Sequence, residues 1–118
     1  MQIRFPIVSA LAALLSLGAA NGVAAQQDDS VYLSMRNTIG LLRYCQAQGF
    51  LDAAIAEAKS ANIKTVIASL PAPANPAEGD EREKAGEAGK WGSRQTDAAE
   101  HAKMFDMTLE AQCQEWAM

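Results

Sequence analysis

Two cysteines, Cys45 and Cys113, lie downstream of an apolar N-terminal stretch, and that arrangement limits the chain more than any other feature. Met1-Gln2-Ile3-Arg4 forms a short positive start, and Ile7 to Ala20 is an apolar run dominated by Ala and Leu. Val23-Ala24-Ala25 then sets small residues at positions −3 and −1 of a cleavage site. This order predicts a bacterial secretory signal peptide over residues 1–25, removed to leave an exported single domain over 26–118. The expected compartment is the periplasm or the exterior, where two thiols oxidise to one disulfide. The apolar run is shorter than the roughly 18 residues of a spanning helix, so no stable membrane span is expected after cleavage.

A domain of this size buries only about 60–65% of its unfolded surface and depends on a staple. A Cys45–Cys113 bridge closing residues 46–112 contributes about 4 kcal/mol in the chain-entropy description, against total stabilities of about 5–15 kcal/mol. The charge balance narrows the partners. Ten Lys and Arg face 14 Asp and Glu, a formal charge of −4 that deepens by one unit when Arg4 leaves with the signal. An acidic domain without a basic cluster is not built for nucleic acid or for an anionic lipid surface.

Helical periodicity is the dominant pattern. Tyr32, Met35, Ile39, Leu42 and Cys45 recur at spacings of three and four, with Leu33 and Leu41 widening the stripe. Asp29 or Ser30 is the expected N-cap, Gly49 the expected stop, and Gly40 within the helix points to a close neighbour. Asp52 opens a second helix that weakens at Asn62, where a break is considered, and ends before Pro71. Pro71 to Pro76 reads as an extended connector. Residues 78–94 are charged and interrupted by Gly79, Gly86, Gly89 and Gly92, so about 71–95 is expected as a Pro/Gly-rich mobile segment with partial helix. The repeat Gly86-x-x-Gly89-x-x-Gly92 is read as flexibility rather than an anion nest.

Ala98, Ala102, Phe105, Leu109, Cys113 and Trp116 form the last apolar stripe, with Asp97 and Glu100 as a capping box and Asp106-Met107-Thr108 as a point of division. No hairpin signal and no sustained period-two alternation appear. The fold class is therefore all-α: a small bundle of about four helices, with Cys45 and Cys113 on core-facing positions near the ends of the first and last strong helices. Such a bridge needs the two Cα atoms within about 7 Å.

No catalytic constellation is recognisable: there is no G-x-S-x-G turn and no carboxylate pair at a spacing tied to hydrolysis. His101 stands alone between Glu100 and Ala102 and is expected at a helix surface, since a structural metal needs about four ligands. Neither cofactor nor metal is expected. Arg36 and Arg43, seven apart on one helix face, are candidates to receive carboxylates from a partner or from the acidic 78–94 segment. Trp91, between Lys90 and Arg94 in a Gly-rich stretch, is either an interaction anchor or a cap folded onto the core. Met104, Met107 and Met118, with Phe105 and Trp116, are expected at the core or its edge, although such adaptable faces also bind partners.

The order Asn-Thr-Ile-Gly-Leu-Leu-Arg-Tyr-Cys (37–45), Gly49, a glycine-rich stretch and Leu-Glu-Ala-Gln-Cys (109–113) resembles a group of small exported proteobacterial two-cysteine helical proteins. Some of that group carry the label of pore-forming proteins of the early-secreted-antigen (WXG) type. Here Trp91 is followed directly by Gly92 rather than through an intervening residue, and no functional residue carries over from that class. A second likeness, in architecture alone, is to small periplasmic acid-stress chaperones.

The expected role is that of a small non-enzymatic protein-interaction protein with an unknown protein partner, or with further copies of itself in a homo-oligomer. Membrane insertion by a pore-forming hairpin is the alternative. Arg36, Arg43, Trp91 and Trp116 are the candidate interaction residues.

Overall fold

The computed structural model describes residues 28–118; the expected signal segment lies outside the described residues. Helix α1 (Ser30–Ala47) buries Tyr32, Leu33, Asn37, Ile39, Gly40, Leu41, Leu42 and Cys45. That set is too wide for one stripe, because other elements cover α1 on more than one side. The chain leaves it through Gly49, whose φ of +84° suits a residue without Cβ just past a helix end. The Phe50 N–H then reaches back to the Cys45 carbonyl at 3.0 Å.

Helix α2 (Ala53–Ser69) runs unbroken through Asn62 and buries only Ala56 and Ile63. Leu70, preceding Pro71, is already extended (φ −79°, ψ 158°). The connector returns the chain to the start of α1. There the Asp29 carboxylate accepts the Ala74 and Asn75 backbone N–H groups at 3.0–3.2 Å, so Asp29 clasps the connector and makes no side-chain cap bond of its own. Helix α3 (Pro76–Glu87) follows with Pro at its first turn, where the missing N–H costs nothing.

Residues 78–94 are partly helical, as expected. The first part is α3, and the glycines are where α3 meets α1. A Cβ on Gly40 would stand 2.0 Å from the Glu83 carbonyl oxygen, and one on Gly86 would stand 2.4 Å from the Asn37 carbonyl oxygen. Side chains at either position would hold the two backbones apart. Gly79 lies against the Tyr32 ring and Gly89 against the Tyr44 ring, so α1 and α3 run parallel along their length. Helix propensity alone disfavours these glycines, and the close approach explains them.

A two-residue antiparallel ribbon comes next, β1 (Lys90–Trp91) and β2 (Thr96–Asp97), paired Lys90 to Asp97 and Trp91 to Thr96. Sequence patterning missed this hairpin because two residues per strand are too few to establish alternation. Helices α4 (Ala98–Met104) and α5 (Leu109–Trp116) close the chain. The expected division falls between them, and the Thr108 hydroxyl accepts the Ala111 N–H at 3.1 Å to start α5. The anticipated capping box at Asp97 does not form a side-chain cap bond.

The described residues are thus an all-α bundle of five helices with a minimal ribbon. Its apolar core brings Ile39, Leu42 and Cys45 of α1 against Leu51, Ala56, Ile63 and Cys113. Cys45 and Cys113 form the disulfide, their Cα atoms 5.7 Å apart, and both residues are fully buried. No described helix is long and apolar enough to cross a membrane.

Candidate functional site

The four candidate interaction residues fall in two places. Arg36 and Arg43 face α3. Arg36 Nε donates to Glu83 at 2.8 Å and Nη2 to Asp80 at 2.6 Å, while Nη1 donates to the Tyr32 hydroxyl at 2.6 Å. Arg43 donates to the other Glu83 oxygen at 2.9 Å and to Glu87. Of the two sources of carboxylates foreseen for these arginines, the chain itself supplies one. Burial alone would raise the Glu83 carboxyl pKa, but the two guanidinium groups outweigh it and hold that pKa below its usual value.

Asn37 completes this seam from beneath. It is 3% exposed; its Nδ2 donates to the Arg82 and Lys90 carbonyls at 3.1 and 3.0 Å, and its Oδ1 accepts the Gly92 N–H at 3.0 Å. One buried amide therefore ties α1 to α3 and to the ribbon. In the sequence Asn37 belongs to the polar face of an amphipathic helix, and nothing local marks it as buried.

Trp91 and Trp116 meet elsewhere, around His101. The Trp91 ring stacks on His101 with centroids 3.8 Å apart and planes 17° from parallel. Trp116 lies 6.1 Å away at 11°, and Phe105 approaches edge-on at 5.2 Å and 67°. His101 is only 7% exposed, which corrects the expectation of a surface histidine. The signal was available in the spacing: His101 is three residues after Ala98 and four before Phe105, on the edge of the apolar stripe.

The Nδ1 atom of His101 is buried without a hydrogen-bond partner. Burial pushes the imidazole pKa down, and the Glu115 charge opposes this in part. The ring is therefore held neutral at neutral pH. Trp91, His101, Phe105, Met107, Gln112, Glu115 and Trp116 line a cleft of about 380 Å³. Phe105 at 60% and Trp91 at 38% remain open to solvent, and Met104 beside them is more exposed still. The expected core-edge face of Met104 and Phe105 is thus an outer surface.

A somewhat larger groove, about 440 Å³, runs between α1 and α2, but Arg43, Glu57 and Lys64 line it with mixed charge and it has no aromatic wall. Among the described residues no group of three His, Cys, Asp or Glu is placed to hold a metal. Comparison with protein-family models, curated proteins and solved structures finds no match to the chain.

Proposed function

We propose that this is a small exported binding protein whose aromatic cleft receives a side chain of a partner protein. The observation that carries the reading is the exposure of Phe105 and Trp91 around a formed cleft. A domain this small has little apolar surface to spare, yet it leaves large aromatic side chains at a concave site. Tryptophan is among the residues enriched in binding hot spots, whereas scattered apolar residues on a flat surface carry little meaning. The buried disulfide supports export, since such bridges persist in oxidising compartments. Binding fits the site better than catalysis: His101 is the one imidazole, its Nδ1 is sealed off, and among the described residues no Ser, Thr, Cys or Lys lines the cleft.

Affinity capture from a periplasmic extract with the oxidised protein tests the reading when three baits are compared. A partner captured by the native protein and by Ile55→Asp, but lost with Phe105→Asp, supports the cleft. Equal capture by all three baits removes it. Dye release from liposomes at neutral and acidic pH examines the membrane-active alternative, and leakage that depends on Phe105 would replace the binding reading with it.

A further inference from the structure

We infer that the group this cleft accepts is a cation: the guanidinium or ammonium head of an arginine or lysine on a basic segment of the partner protein. The inference rests on the binding role proposed above and narrows its chemistry. Aromatic faces carry the negative end of the ring quadrupole, and tryptophan is the strongest such partner for a cation. Trp91 and Trp116 are both walls of the cleft, with Phe105 at the rim.

Charge points the same way. Among the described residues Glu115 is the only charged one lining the cleft, and it makes no ion pair with any of them. Its field reaches the ring stack, because it favours protonation of His101 against the effect of burial. The nearby cations are engaged or stand elsewhere. Lys103 pairs with Glu100 and Lys90 with Asp97, while Arg94 lines the neighbouring depression on Trp91 together with Met104. A neutral apolar occupant leaves the exposed Glu115 carboxylate without an ion partner, whereas a cationic one supplies it. A cationic head satisfies the carboxylate and the ring faces together. The cleft volume of about 380 Å³ holds one such head and part of its stem. The acidic chain, at −4, favours the approach of a basic partner.

The test uses a short acetylated, amidated peptide with one central arginine, and the same peptide with citrulline, which keeps the shape and removes the charge. Binding to the oxidised protein is followed by tryptophan emission and by the indole N–H signals of Trp91 and Trp116. The arginine peptide is expected to bind about tenfold more tightly than the citrulline peptide, and 0.5 M salt is expected to remove most of that advantage, as for a partly exposed cation site. Glu115→Gln, at an exposed position, is expected to cut the difference between the peptides severalfold without lowering the melting temperature. If both peptides perturb the indoles equally, the cation assignment falls and the cleft remains a binding site. If neither perturbs them, and capture is also independent of Phe105, the binding role falls with it.

Discussion

The two sides of α1 are held by different physics. Toward α2 and α5 it offers Ile39, Leu42 and Cys45 to an apolar core closed by the disulfide. Toward α3 it offers a glycine, a buried asparagine and two arginines, and the only buried residues α3 contributes are Gly79 and Gly86. Area removed from water stabilises the first side. The second packs the Tyr32 and Tyr44 rings on glycines and relies for the rest on backbone contact, a buried amide and ion pairs. The first contact tolerates changes of shape that conserve volume, whereas the second tolerates no added atom. The comparison teaches that a glycine-rich, charged segment is a packed part of this fold when its partner helix supplies a matching glycine.

The largest expected effect lies on the apolar side. Replacing both cysteines by serine is expected to cost about 4 kcal/mol in denaturant unfolding, within the range for native bridges in small domains. A loss below about 1 kcal/mol would mean that the core holds α5 without the bridge.

On the other side, Gly40→Ala is expected to destabilise by about 3 kcal/mol, the upper range for overpacking, although alanine is the better helix former. Its signature separates the two sides. Hydrogen exchange should quicken across 76–87 while the Cys113 segment stays protected. A stabilised or unchanged variant would break the glycine-contact account.

Asn37→Ala is expected to cost about 2 kcal/mol, because it strands the Lys90 carbonyl and the Gly92 N–H without their partner. Here the sharper readout is the ribbon. Emission from Trp91 should shift as it loosens from His101.

Acid should act on the two regions in separate windows. The His101 pKa is lowered from 6.5, so the unfolded chain binds the proton first; stability is full above that value and falls as pH drops below it. The Glu83 carboxyl pKa is lowered from 4.5, so its contribution is present above that value and is lost further down. Melting temperatures measured from pH 8 to pH 3 should therefore fall in two steps. His101→Gln should remove the upper step, and Glu83→Gln the lower. The lower step is small, because Arg43 and Asp80 of the Glu83 network stand in solvent, which screens it.

Much of the fold was legible in the chain. The spacings around Tyr32–Cys45 and Ala98–Trp116 mark helices whose apolar faces carry the cysteines, and both cysteines are indeed buried. The break between Met104 and Leu109 was legible too, from Asp and Thr competing for backbone bonds. The aromatic cleft was only half visible. Trp91 and Trp116 stood out as single residues, but their meeting at His101 depends on a ribbon too short to leave a pattern.

Periodicity and chirality are local, so the sequence alone determined the helical class, the core-facing stripe of α1 and the paired cysteines. The role of Gly40, Gly79 and Gly86, the burial of Asn37 and the pairing of Arg36 and Arg43 with α3 were decided only by tertiary structure. A glycine reads identically whether it loosens a chain or admits a neighbour. The difference lies in what stands a few ångströms away, and that neighbour comes from a distant part of the sequence.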